Sequence, residues 1–355
     1  MAKKKKTLPK NFQELVDSND IAALKAVFDI CEIDARGGYG KTTALSFYGI
    51  SNELVKWLVE NGADIEAVDT YGRSALHIHA GLRRTKQVDV FLELGADVNG
   101  IDTYGSSPLH FAAGNGFNAK VVKSLIKKGA IVNVLNSYKE TPLTYALRRA
   151  NNVDLAALVE VSKILLPYTK EITLSMRDDV TRIGENFEFH RENFNPDYLE
   201  ETDIALRALY NLYSVTPVKR RIMHDGVSKI EVNGTVWEEQ YEELWELLVP
   251  SKGSAKTVQG EVVRITGKVR DEIYRNGGGN WDANFKKMLD AYLAYLSTEV
   301  SLSERDLASV TPMVAGIRKY GNGETRELNY LCELASKWVL KNPMPIPLGE
   351  VKYKR

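Results

Sequence analysis

The sequence predicts a mainly α protein in two parts: a stack of helix–turn–helix repeats over residues 9–170, then a mostly helical domain over 171–342. Three observations predict this. First, the stretch from Asp69 to Asn133 contains itself twice, DTYGRSALHIHAGLRRTKQVDVFLELGADVNG being followed by IDTYGSSPLHFAAGNGFNAKVVKSLIKKGAIVN. Tyr71-Gly72 falls on Tyr104-Gly105, and Ser74-Ala75-Leu76-His77 on Ser107-Pro108-Leu109-His110, at an offset of 33 residues; Gly95-Ala96-Asp97 falls on Gly129-Ala130-Ile131 at 34. Self-similarity at that period marks supersecondary units that bury their faces by stacking. Second, these landmarks vanish beyond Lys170. Third, apolar residues beyond that point recur at helical spacing.

Bulk properties limit the function. The 47 basic and 47 acidic residues cancel, which argues against a general nucleic-acid binder, since such proteins carry a basic excess. No apolar run reaches the ~18 residues of a membrane span, so no membrane association is expected. The start, MAKKKK, has charge but no apolar stretch behind it and does not read as a secretory signal. Residues 1–8 are expected to be a disordered basic terminus, with Lys3 to Lys6 as a solubilising run. Cys31 and Cys332 form no CxxC and suit buried thiols in a reducing, cytoplasmic compartment.

Taken in order, residues 9–35 read as a capping helix pair, with Phe12, Leu15 and Val16 on one apolar face and Ile21, Leu24, Val27 and Phe28 on the next. The first repeat spans about Gly37 to Asp69, through Tyr39-Gly40, Thr43-Ala44-Leu45 and Gly62-Ala63-Asp64. It has one extra residue after Gly40, and Ser46 where the later units have histidine. The second and third repeats are those quoted above. A fourth starts at Asn136-Ser137-Tyr138, with Lys139 for the turn glycine, and runs through Leu155, Leu158, Val159, Ile164 and Leu165 to Pro167. Ser or Thr before Pro-Leu supplies an N-cap oxygen, and proline is tolerated in the first helical turn. Gly62, Gly95 and Gly129 sit where a helix exit favours left-handed backbone.

The turn glycine, the T/S-P/A-L-H helix start and the G-A-D-x-N exit together resemble ankyrin repeats. The resemblance covers residues 9–170. It implies a solenoid of helix–turn–helix repeats with β-hairpin fingers, which binds proteins through its finger tips and concave helix face. It also implies a structural role for His77 and His110, bonded to neighbouring backbone. His79 lies two residues from His77, a spacing that turns the pair apart on a helix and offers no metal site.

Tyr39, Tyr71, Tyr104 and Tyr138 read as one column at the finger tips, one in each repeat. At roughly 10 Å, one helix-packing distance, their rings are expected to stand too far apart to stack. Tyrosine gives rigid area with a polar tip and is enriched at binding hot spots. These four, with Arg73 beside the second turn and Arg83-Arg84 between helices, are the candidate protein-binding residues.

Residues 171–355 resemble no family with known chemistry. They read as an opening helix, an irregular NFEFHRENFNPDY, a helix from Leu199 to Tyr213, and a strand pair turning at Asp225-Gly226 and Asn233-Gly234. A helix follows over Trp237 to Leu248. In 257–282, Val258, Val262, Ile265, Val269 and Ile273 recur at helical spacing and form a core stripe. Gly260 and Gly267 invite close helix approach, and Glu261, Arg264, Lys268, Asp271, Glu272 and Arg275 form a polar face opposite. Their spacing suggests an ion-pair ladder of Lys268–Asp271, Lys268–Glu272, Asp271–Arg275 and Glu272–Arg275. Asn276-Gly277 reads as a C-cap and Asn280 as the N-cap of the next helix. Helices over 282–297, 303–319 and 324–341 follow, and residues 343–355 read as a proline-rich extended tail.

The functional expectation is non-catalytic recognition of a protein partner by an adaptor or inhibitor. One form is an immunity or counter-defence protein that blocks a toxin or defence enzyme. No cofactor and no metal are implied. The rival is an enzyme whose helical domain holds an anion or phosphate near Glu261, Arg264, Lys268, Glu272 and Arg275. A third reading is a self-associating structural protein, a homodimer through the Gly260/Gly267 face of the C-terminal domain.

Overall fold

The computed structural model describes residues 3–83 and 86–354; Met1, Ala2, Arg84, Thr85 and Arg355 lie outside the described residues. The chain opens with β1 (Lys5–Thr7), the helix hairpin α1 (Phe12–Ser18) and α2 (Ile21–Ile30), and β2 (Cys31–Arg36), which pairs in parallel with β1. The basic run is thus not a free terminus from Lys5 on. Strand pairing takes up its backbone, Leu8 N–H donates to the Arg36 carbonyl at 2.9 Å, and the Leu8 side chain is buried.

Beyond β2 come α3 (Asn52–Glu60), α4 (Ala75–Ala80), α5 (Val88–Glu93), α6 (Pro108–Gly114), α7 (Ala119–Lys127), α8 (Pro142–Arg149) and α9 (Leu155–Leu165). Helices this short do not persist alone in water. They hold because Leu54, Leu58, Leu76, Phe91, Leu109, Leu125, Leu143 and Leu158 are buried between neighbours. The exits Gly62, Gly95 and Gly129 have φ of +89°, +89° and +93°, the left-handed region where glycine is least strained.

The fingers are turns stitched to one another. Thr70 N–H donates to the Gly40 carbonyl (3.0 Å), Thr103 to Tyr71 (3.0 Å) and Ser137 to Tyr104 (2.8 Å). These bonds correct the register of the first repeat: Gly40, not Tyr39, stands where Tyr71 and Tyr104 stand. The extra residue lies before Gly40, since the first turn closes from Gly37 N–H to the Thr42 carbonyl, five residues on, whereas Asp69 closes on Arg73 and Asp102 on Ser106. The first repeat also lacks a full inner helix; Ala44–Ser46 is a single 3-10 turn. Its Ser46 cannot make the bonds that histidine makes one and two repeats later.

Those histidines join repeats. Ser74 N–H donates to His77 Nδ1 (3.2 Å), which puts the ring proton on Nε2, and Nε2 donates to the Ser106 carbonyl at 3.2 Å. His110 repeats this between Ser107 N–H (3.1 Å) and the Glu140 carbonyl (3.0 Å). His79, fully buried, reaches back to the Leu45 carbonyl at 2.9 Å.

The chain divides into two compact units, 1–186 with 196–218, and 187–195 with 219–355. The expected boundary at 170/171 therefore moves. α10 (Leu174–His190) contributes its residues to 186 to the first unit, as does α11 (Pro196–Tyr213). NFEFH, expected to be irregular, completes α10. The physical reason is that the last repeat needs a cover: Tyr213 donates its hydroxyl to Ser162 Oγ of α9 at 2.9 Å, and Arg182 Nη2 donates to the Leu147 carbonyl at 3.0 Å.

In the second unit, α12 (Trp237–Leu248), α13 (Val258–Asn276), α14 (Ala283–Leu296), α15 (Glu304–Tyr320) and α16 (Thr325–Lys341) pack around Leu244, Val262, Ile265, Met288, Tyr292 and Trp338. No strand pair forms at Asp225-Gly226 and Asn233-Gly234; among the described residues β1 and β2 make the only sheet. Arg221 takes up this loop instead, donating to the carbonyls of Trp245, Glu246 and Val249. α14 is capped by Asp282, not Asn280. Residues 343–354 are no loose tail: Val258 N–H donates to the Ile346 carbonyl (2.8 Å), Leu348 N–H to Lys256 (3.1 Å), and Tyr353 is buried.

Candidate protein-binding surface

Each finger from the second onward is built on one acceptor. Asp69 Oδ1 receives the N–H groups of Tyr71 (2.8 Å) and Arg73 (2.9 Å). Asp102 Oδ1 receives those of Tyr104 (2.9 Å) and Ser106 (2.8 Å), and Asn136 Oδ1 those of Tyr138 (2.9 Å) and Glu140 (3.0 Å). A short polar side chain that bonds the backbone two and four residues on fixes the turn and the residue at its tip. The first finger begins at Gly37-Gly38, has no such anchor, and leaves Tyr39 94% exposed and out of register. The tyrosine column therefore has three members, Tyr71, Tyr104 and Tyr138.

The rings are also closer than backbone spacing suggests. Tyr104 and Tyr138 stack, centroids 6.3 Å apart and planes 23° from parallel. The expectation that they could not touch fails because the side chains lean along the stack. Tyr71 is covered instead by the Arg73 guanidinium, 4.9 Å from its centroid, which Asp69 Oδ2 holds through Nε (2.8 Å) and Nη2 (2.6 Å).

Behind the column lie the inner helices. Tyr71, Arg73, Tyr104 and Tyr138 form one wall of a groove of about 310 Å³, and Phe111, Asn115, Tyr145 and Arg149 line it from α6 and α8. The inner residues were not legible as site residues. Their signal is nonetheless periodic: Gly81 and Gly114 are 33 residues apart, and Phe111 and Tyr145 are 34 apart. A Cβ on Gly81 would lie 3.3 Å from Phe111, and one on Gly114 2.5 Å from Tyr145, so each glycine makes room for the ring of the following repeat. Both rings meet the helix-start histidine of the preceding repeat edge-on, His77–Phe111 and His110–Tyr145 each at 5.6 Å and 86°. Tyr145 donates its hydroxyl to Asn115 Oδ1 at 3.0 Å, and the Arg149 guanidinium lies 5.1 Å over its ring. Burial raises the Tyr145 pKa and so keeps that hydroxyl a donor.

Arg83 does not line this groove. Arg83 pairs with buried Asp154 and lies 5.7 Å from the Phe117 ring, which makes it a strut beneath α9. Arg84 lies outside the described residues.

In the second unit the expected polar face of α13 comes apart. Glu261 and Arg264 are core residues, 0% and 1% exposed, paired through Nε–Oε2 (2.8 Å) and Nη2–Oε1 (2.6 Å). Ala255 N–H (3.0 Å) and the Tyr353 hydroxyl (2.8 Å) complete the carboxylate. Glu272 receives Asn280 N–H at 2.6 Å and the Asn276 amide at 3.0 Å, and thereby ties down the turn after α13. Of the expected ladder, Asp271–Arg275 forms at 2.9 Å, on the exposed surface, and Lys268 is exposed. Asp271 and Arg275 line an open cleft of about 420 Å³ beside Tyr241, Trp245 and Tyr274, and Glu261, Arg264, Lys268 and Glu272 are not part of its lining. The Gly260/Gly267 face is filled from within: a Cβ on Gly260 would meet the Leu248 carbonyl at 2.8 Å, and one on Gly267 the Trp245 ring at 2.0 Å, both on α12.

Among the described residues no group of three or more His, Cys, Asp or Glu could hold a metal ion, and no helix is long and apolar enough to cross a membrane. A family model of ankyrin repeats in three copies matches residues 42–136 and 86–175. Residues 42–175 are ankyrin repeats, and no family model matches the part that follows. A search of curated proteins finds no match to the chain.

Proposed function

With ankyrin repeats over residues 42–175 as the premise, we propose that this protein is a non-catalytic adaptor or inhibitor that grips a partner protein in the groove between the finger tyrosines and the inner helices. The observation that carries the reading is the column Tyr71, Tyr104 and Tyr138, each fixed by an Asp or Asn acceptor and backed by Phe111 and Tyr145. Rigid aromatic rings cost little conformational entropy on binding and bring large contact area. Binding rather than chemistry is further supported by the second unit, where Glu261, Arg264 and Glu272 are consumed by packing bonds. An inhibitor that blocks a toxin or defence enzyme is one form the reading takes. Two buried free cysteines fit a reducing, cytoplasmic setting.

Affinity capture from native lysate with the wild type and with Tyr71→Ala/Tyr104→Ala tests the proposal. A stoichiometric protein held by the wild type and lost from the equally well folded variant is the expected result. An identical set of captured proteins would sink it.

A further inference from the structure

The groove has a chemical bias beyond its aromatic lining, and resting on the reading above we infer that its occupant is an extended, acidic peptide segment of the partner protein, with a carboxylate seated at Arg149. The bias follows from which polar groups are already used. Asp102, the one carboxylate lining the groove, is buried, and its Oδ1 is taken by two finger N–H groups. Arg73 is neutralised by Asp69. Its neighbour in sequence to Arg149, Arg148, is neutralised by Glu140 at 2.8 Å. Arg149 is different: it is exposed, its guanidinium lies over the Tyr145 ring, and among the described residues no carboxylate pairs with it. Beside it, Asn115 spends its oxygen on the Tyr145 hydroxyl, which leaves its NH₂ as a donor. The hydroxyls of Tyr71, Tyr104 and Tyr138 make no bond within the protein among the described residues.

What the groove offers a ligand is therefore a surplus of donors around one unpaired guanidinium, on a floor of rings. Donors of this kind are complemented by carboxylate and carbonyl oxygens, and a planar guanidinium takes a carboxylate through two parallel bonds. The groove runs past three repeats, which suits an extended segment more than a compact surface. A phosphate backbone would also satisfy donors. The balanced charge of the chain favours the peptide.

The test is selection of a random twelve-residue phage-displayed peptide library on the full chain, run in parallel on Arg149→Gln and Tyr104→Ala. Enrichment of Asp- or Glu-containing peptides on the wild type, with about tenfold weaker binding to Arg149→Gln, partial recovery in Arg149→Lys and loss in Tyr104→Ala, is the expected result. Peptides that need Tyr104 but carry no acidic residue, or bind Arg149→Gln equally, overturn this inference and leave the groove reading standing. Absence of any Tyr104-dependent peptide overturns both. Tyr104-dependent binding of a fluorescent fifteen-nucleotide oligo-dT instead of peptides would assign the donors to nucleic acid and refute the peptide. Arg149 is exposed, so its variants are expected to fold, and thermal unfolding checks this.

Discussion

Tyr104 stacks on Tyr138 across the boundary between two repeats, ring centroids 6.3 Å apart, while the carbonyl of Tyr104 accepts the N–H of Ser137 at 2.8 Å. The pair is thus coupled twice, by backbone and by ring. A mutation at either tyrosine changes the surface that the other presents, so their effects on binding should not add.

Because Tyr39 lies outside the register of the column, the tyrosines should divide sharply in a binding assay. Tyr39→Ala is expected to leave partner affinity within about twofold, whereas Tyr104→Ala should cost on the order of 2 kcal/mol. Titration of the captured partner against both variants measures this. Equal losses would restore Tyr39 to the site.

The finger turns predict opposite outcomes at equivalent positions. Gly72 has φ +75°, and a Cβ there would lie 2.8 Å from Thr103 N, so Gly72→Ala should destabilise by about 2 kcal/mol or more. Lys139 holds the same place at φ +60°, and Lys139→Gly should stabilise by up to about 1 kcal/mol. Urea unfolding of the two variants reads both signs.

His79 makes stability depend on pH. Burial depresses its pKa to about 4 from 6.5, its Nδ1 has no partner, and its Nε2 bonds Leu45. His77 and His110 are lowered too, by burial first. A group whose folded pKa lies below its unfolded value binds more protons when unfolded. Its contribution is therefore complete above pH 6.5 and is lost as pH falls toward the folded value. For His79 alone this amounts to about 2 kcal/mol between pH 7.5 and 5. Denaturant melts across that range should show the slope, and His79→Phe should flatten it even where it lowers the plateau.

The buried Glu261–Arg264 pair should behave as structure. Removing one partner leaves a buried charge, so Arg264→Ala is expected to cost roughly 3–5 kcal/mol. Tyr353→Phe removes one bond to Glu261 and should cost about 1 kcal/mol while speeding proteolysis of residues 343–354. Thermal unfolding with limited proteolysis tests both. An Arg264→Ala protein of unchanged stability would contradict the assignment.

Much of this protein is local and therefore legible in the sequence. The repeat period, the helix-start histidines, the glycine exits and the limits of α12 and α13 follow from rules that act over a few residues, and the chain obeys them. The tertiary structure decided what depends on contacts between distant residues. Tyr39-Gly40 reads the same as Tyr71-Gly72, and only the bonds from Thr70 to Gly40 and from Gly37 to Thr42 show that the first finger is shifted. Glu261 and Arg264 carry the spacing of a surface ladder, yet Tyr353, 92 residues away, closes over them and makes them core. Arg149 looks like one of two equivalent arginines until Glu140 pairs with its neighbour and leaves it unpaired. Spacing along a helix says which side chains share a face, but only packing from elsewhere in the chain decides whether that face meets water, another helix or a partner.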